Sequence, residues 1–213
     1  MTAAHFHAHY AHWPKRLPKR IDTPQTALPH NLLVSAERFG PKTALAFLGA
    51  EYSYSQLLDK VERLATWLAS VGVSKGDRVI LCMQNCPQLV MAHWAILRAN
   101  AVVVPVNPMN KAMELSHYIT DAQARVVITT SDLVPEWAAA NAAIAQDQGL
   151  AHVLSTHFTD AFEPQREGPH ALPEAWWPWI TARPEVQAPQ GVHLHLWGGR
   201  LDARAPASAL DGG

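Results

Sequence analysis

The sequence predicts an α/β domain: a mostly parallel sheet with helices on both faces. Three observations carry that reading. Strand-length apolar segments alternate with helix-length segments from about Thr43 to Ser155. The later strand segments are apolar throughout rather than alternately apolar and polar, as strands buried on both faces are. Between them fall residues that begin and end helices, such as Pro87 and Gly72.

Taken in order, residues 1–28 read as an irregular leader strapped over a domain surface, because His5, His7, His9, His12, Pro14, Pro18 and Pro24 leave little periodicity. A helix is expected from Pro29, with Leu32, Leu33, Ala36 and Phe39 on one face and Gly40-Pro41 as its stop. Thr43–Leu48 and Glu51–Ser53 bracket Gly49-Ala50 as a tight hairpin. From Tyr54 to Val71 the stripe Leu57, Val61, Leu64, Leu68, Val71 defines an amphipathic helix, begun by a Ser53/Gln56 capping box and closed at Gly72. A strand at 78–83 follows, then a helix opened by Pro87, a strand at 101–104, a helix at 112–120 and a strand at 125–129. An Ala-rich helix from Leu133 to Gln148 leads to a strand at 151–155.

These elements place an N-terminal α/β subdomain at 29–160. Residues 161–190 form a Pro/Trp-rich segment in which Trp176, Trp177 and Trp179 anchor one short helix. From Gly191 the amphipathic period fails, so residues 191–213 are expected to be an unstructured tail, possibly out of frame.

Composition narrows the function classes. A 48% hydrophobic content over 213 residues suffices for a sizeable core, and a net charge of −1 gives no field that selects a nucleic acid or an anionic membrane as main partner. The basic group Lys15, Arg16, Lys19, Arg20 reads as a solvated arm. Cys82 and Cys86 lack redox or zinc spacing and are expected to be reduced. No secretory signal is visible and no transmembrane segment is expected, since polar residues interrupt Val79–Leu97; the setting is taken as cytoplasmic.

No catalytic, cofactor-binding or metal-binding residue emerges. There is no glycine-rich phosphate loop; Thr129-Thr130-Ser131 follows a strand but has neither glycine nor lysine and reads as helix capping. His5, His7, His9 and His12 could present imidazoles to a metal if extended, yet no Cys, Asp or Glu completes a set. His93 reads as packed, His193 and His195 receive no role, and Asp77 and Glu114 read as surface or capping carboxylates.

The run Tyr52-Ser-Tyr-Ser-Gln-Leu-Leu, the block from Arg63 to Val79 with Gly72, Gly76 and Asp77, Asn85-Cys-Pro, Ala95 to Pro108, Glu114-Leu and Asp121 to Ile128 together resemble the opening of the acyl-CoA synthetases and their adenylate-forming relatives. The leader from Tyr10 to Ile21 and Asn31 to Gly40 is similar to the starts of bacterial long-chain fatty acid–CoA ligases. One departure stands out: Asn100 takes the place of the usual glycine at the end of the second helix of that block, a position tolerant of a left-handed residue.

The resemblance implies a two-step ligase using ATP, Mg and CoA on a fatty acid or other carboxylic acid. The carboxylate attacks the α-phosphate to give an acyl-adenylate and pyrophosphate, and the CoA thiol then displaces AMP. In that family the phosphate loop and the small C-terminal domain lie beyond the matched stretch, so no catalytic residue carries over and the chain is expected to be inactive alone. The rival expectation is a non-catalytic binding or regulatory module that pairs with a separate ligase chain.

Overall fold

The computed structural model describes residues 3–20 and 24–198, residues 3–7 by their backbone only. Helix α1 (Pro29–Phe39) starts on a proline and buries Leu32 and Ala36. Strands β1 (Thr43–Phe47) and β2 (Ala50–Ser53) pair antiparallel through Leu48 and Gly49, whose φ values of 46° and 88° both lie in the left-handed region. Such a two-residue turn matches the twist of a hairpin. Leu48 bears a strain of about 1–2 kcal/mol there, offset by its packing on the main core.

Helix α2 (Tyr54–Ser70) forms the expected capping box, Ser53 accepting from the Gln56 N–H while Gln56 accepts from the Ser53 N–H. It buries Leu57, Val61, Leu64 and Leu68, and also Ala65 and Trp67; each leucine contributes roughly 2 kcal/mol by leaving water. Strand β3 (Arg78–Cys82), α3 (Pro87–Arg98), β4 (Val102–Pro105), α4 (Ala112–Ala122), β5 (Val126–Thr130), α5 (Val134–Ala142) and β6 (His152–Thr156) follow.

Three of these helices stop in the same way. After α2, Gly72 at φ 89° lets the Gly72 and Val73 N–H groups donate to Ala69 O and Leu68 O at 3.0 Å each. After α3, Asn100 at φ 57° does the same, with Asn100 and Ala101 donating to Leu97 O and Ile96 O at 3.0 Å each. After α4, Gln123 at φ 50° repeats the turn. The pattern satisfies the last carbonyls of each helix. The first two turns also interlock, for Gly76 donates to Asn100 O at 2.9 Å and Val102 to Asp77 O at 2.7 Å.

The main sheet has the order β4-β3-β5-β6, continued by β7 (His193–Leu196), and all its pairings are parallel. Residues 79, 81, 126, 128 and 154 face one core, shared with α1, α2 and α3. Residues 80, 82, 127 and 153 face a second core under α4 and α5. Helices therefore cover both faces of β3, β5 and β6, as their apolar residues predict, whereas the equally apolar edge strand β4 leaves Val102 46% exposed. Short helix α6 (Trp177–Thr181) forms within the Pro/Trp-rich segment and buries Ile180. No helix among the described residues is long and apolar enough to cross a membrane.

Three expectations are corrected. The leader is not irregular throughout: a 3-10 helix runs from Ala3 to His12, and residues 13–20 stay exposed. The Ala-rich helix ends at Ala142, not Gln148, because Asn141 Oδ1 accepts from the Leu150 N–H at 2.6 Å and folds the return loop back toward β6. Residues 193–196, expected in an unstructured tail, form β7 in register with β6 from His152↔His193 to Ser155↔Leu196. Buried Val192 and Trp197 fasten its two ends; a four-residue edge strand needs only that ladder and leaves no helical period to read. The remainder of that expected tail, residues 199–213, lies outside the described residues.

Histidines line the β6–β7 seam. His152 Nδ1 lies 3.1 Å from His195 Nε2, the His152 and His193 rings stack with centroids 5.2 Å apart, and His195 meets the Trp67 ring edge-on. Burial, followed by the charges of His193 and Arg125, holds the His152 imidazole below its ordinary value. The unfolded chain therefore takes up this proton first. The stability due to neutral His152 is complete above about pH 6.5 and is lost as pH falls from there through the lower folded value.

Two outcomes are expected. Thermal stability should decline below about pH 6.5, less steeply in His152→Gln, as read by melting curves across pH. In urea denaturation, Asn100→Gly should be neutral or stabilising, whereas Asn100→Ala should lose about 1 kcal/mol.

Candidate functional site

All strands of the main sheet point the same way, so their following loops gather at one edge, where open α/β sheets bind ligands. Gln84 and Asn85 follow β3, Ser131 follows β5 and His157 follows β6. Two clefts open there. An apolar one of about 490 Å³ is walled by Phe47, Leu48, Phe158, Trp176, Trp179 and Ile180, with Gln84 and Asn85 at its polar end. A second of about 510 Å³, the polar cleft for its charged residues, sets Ser131, Ser155, His157, Asp160, Arg183 and Glu185 beside the apolar Val186, Leu194, Leu196 and Trp197.

The polar groups of this edge are largely committed to one another. Gln88, on the first turn of α3 and fully buried, donates through Nε2 to His157 O at 2.8 Å and to Phe158 O and Thr156 Oγ1 at 3.3 Å each. Three acceptors around one nitrogen fix the orientation of the amide, which leaves Gln88 Oε1 buried without a protein partner. Asp160 accepts from the His157 N–H at 2.8 Å and from Thr156 Oγ1 at 3.2 Å, and pairs with Arg183 at 3.1 Å.

The neighbours of His157 fix the hydrogen-bonding role of each ring nitrogen. Its Nε2 faces Ala182 O at 2.8 Å, so that nitrogen carries the hydrogen, and Nδ1 accepts from Thr159 Oγ1 at 2.7 Å. Thr159 Oγ1 in turn accepts from Arg183 at 2.6 Å. With both nitrogens engaged, this imidazole fastens the loop after β6 and has no lone pair to offer a substrate.

The residues weighed from the sequence are scattered. Thr130 occupies the position before a short 3-10 helix but makes no side-chain cap bond, and Thr129 Oγ1 instead donates to Cys82 O at 2.8 Å inside the sheet. His93 is exposed on α3 rather than packed. The 3-10 helix at Ala3–His12 replaces the extended segment that an alternating histidine site requires. Asp77 braces its turn by accepting from the Ser74 N–H at 2.8 Å, and Glu114 caps α4 by accepting from the Lys111 N–H at 2.8 Å.

Cys82 and Cys86 are free and buried. Burial, reinforced by the charge of Asp132, pushes the Cys82 thiol up to about 12, and burial raises Cys86 too, so neither is a nucleophile near neutral pH. Gln88, Asp160 and Arg183 escaped sequence reasoning. No periodicity marks a buried glutamine, and only Pro87 beside it hinted at a fixed helix start.

These clefts do not fit a nucleoside triphosphate. Among the described residues, Asp132, Asp160 and Glu185 line the polar cleft and its extension, against one arginine, Arg183, whose charge is shared with Asp160. A polyphosphate needs the reverse balance, with convergent N–H donors and cations.

The sheet order, with its chain reversal between β3 and β5, defines an α/β domain of the doubly wound class. Comparison with known proteins narrows that class. The model of the family described as AMP-binding enzyme matches residues 32–194. A long-chain-fatty-acid–CoA ligase of Bacillus subtilis (strain 168) is 36% identical over 126 residues, which cover 59% of this chain and 22% of that protein. A crotonobetaine/carnitine–CoA ligase of Salmonella paratyphi A is 31% identical over 105 residues, 47% of this chain and 20% of that one.

Among solved structures, a long-chain-fatty-acid-CoA ligase of Archaeoglobus fulgidus superposes with a TM-score of 0.55 at 26% identity, over 63% of this chain and 28% of that chain. A benzoate CoA ligase of Burkholderia xenovorans LB400 shares the fold with a TM-score of 0.62 at 21% identity, over 88% of this chain and 30% of that chain. The chain belongs to the AMP-binding enzyme family, and is homologous to its acyl-CoA ligases. It spans about a fifth of the length of the curated relatives it matches, 22% and 20% in the two cases.

The network around Gln88 makes a measurable demand. Gln88→Leu should destabilise the domain by roughly 1–3 kcal/mol in urea denaturation. Faster amide exchange at His157 and Asp160 should accompany the loss.

Proposed function

We propose that these residues form the N-terminal scaffold of an ATP-dependent acid–CoA ligase of the cytoplasm, acting on a fatty acid or another carboxylic acid, and that this stretch alone does not activate an acid. Membership of the family carries the first part: its matched relatives include acyl-CoA ligases, and the family model runs across both cores to residue 194. The charge balance of the polar cleft supports the second, since among the described residues three carboxylates and one paired arginine repel a triphosphate rather than hold it. ATP, Mg and CoA would then be held by other parts of the intact enzyme.

The chain's own residues supply a rigid floor. Gln88, Asp160 and His157 tie the loop after β6 to α3 and to the segment after α6, so the edge of the sheet keeps its shape without a ligand. A scaffold of this kind lowers the cost of positioning whatever packs above it.

ATP–pyrophosphate exchange tests both parts. The isolated chain should give none with any carboxylic acid, and Mg-dependent exchange by it would overturn the claim of inactivity. A chimera in which this stretch replaces the matching region of the Bacillus subtilis ligase should form acyl-CoA. A chimera that folds but stays silent would count against the ligase reading.

A further inference from the structure

We propose that residues 10–20 form a docking face for an anionic membrane surface. The whole chain carries a net charge of only −1, yet residues 1–21 contain Lys15, Arg16, Lys19 and Arg20 and no Asp or Glu. All four cations are exposed, and none forms an ion pair among the described residues. Interleaved with them are Trp13 and Leu17, 37% and 54% exposed.

The sequence alone reads this as a solvated arm, but the segment is folded on itself. Tyr10 Oη donates to Lys19 O at 2.7 Å, Trp13 Nε1 donates to Pro18 O at 3.2 Å, and the Leu17 N–H donates to Pro14 O at 3.0 Å. Lys19 Nζ stands 5.4 Å from the centre of the Tyr10 ring, which packs edge-on with Trp13. Four charges and two apolar side chains are thus presented by a pre-formed turn, which reduces the ordering cost of binding.

That combination fits a lipid headgroup layer. Cations lie at the level of anionic headgroups, while tryptophan and leucine gain by entering the headgroup–acyl boundary. A nucleic acid would satisfy the charges but leave Leu17, more than half exposed, with nothing to bury against. With few charges and little apolar area, attachment is reversible and salt-sensitive.

Vesicle flotation of the 213-residue chain tests this, because lipid-bound protein rises while aggregates sink. The chain should float with mixed phosphatidylcholine–phosphatidylglycerol vesicles at low salt, and stay below with phosphatidylcholine alone or at high salt. Lys15→Gln with Arg16→Gln should weaken partitioning about 25-fold, at about five-fold per charge. Leu17→Gln should weaken it while keeping the same salt dependence. Circular dichroism of each variant should match the parent, since these side chains are exposed. No flotation with the anionic vesicles at low salt, equal flotation with neutral and anionic vesicles, or undiminished flotation of the double variant would overturn the proposal, and tight capture of duplex DNA in the first case would point to a nucleic acid instead.

Discussion

The structure depends on the parallel pairing of β3 with β5, in register from Val79↔Val126 to Cys82↔Thr129. Every residue of β5 is buried, as is β3 from Val79 onward. Away from water, each backbone N–H and C=O there must find a partner in the ladder, so neither strand can slip without exposing or orphaning polar groups. Side chains alternate across the pair. Val79, Leu81, Val126 and Ile128 therefore enter one core and Ile80, Cys82 and Val127 the other, and the two cores are locked to a single register.

Parallel strands also decide where polar residues can accumulate. Each loop after a strand leaves at the same edge, and each return runs through a helix on one face or the other. Repeated left-handed turns at Gly72, Asn100 and Gln123 set those returns, and the contacts of Gly76 with Asn100 and of Val102 with Asp77 fix the opposite edge. At the ligand edge, Gln88 joins α3 to the loop after β6, and Asp160 joins that loop to Arg183. Those groups are largely engaged with one another, Gln88 Oε1 being left without a protein partner, and the apolar cleft opens beside them.

Much of the domain could be read residue by residue. The stripe of α2, its capping box, the hairpin glycine and the proline at the start of α3 are local signals, and each appears where local physics puts it. Asn100 was legible for the same reason, since a left-handed residue announces itself by type. The misses share a cause as well. The Ala-rich run after β5 favours helix at most positions, but the chain turns back where the Leu150 N–H, nine residues on, donates to Asn141 Oδ1. Strand β7 is half-exposed, its His-Leu-His-Leu alternation is too short to read as a strand by itself, and it pairs with the edge that β6 offers.

The candidate site was the least legible part, since Gln88, His157, Asp160 and Arg183 matter only through one another. Nothing in the type or spacing of these four residues says that a glutamine amide will meet the carbonyl of a residue 69 positions away. What the sequence determined by itself was the alternation of strand and helix, the two-sided burial of the sheet and the position of most helix ends, because those follow from interactions among near neighbours. The tertiary structure alone decided the strand order, the addition of β7 and the pairing of polar groups at the ligand edge, because those arise where segments distant in the chain compete for the same buried hydrogen bonds.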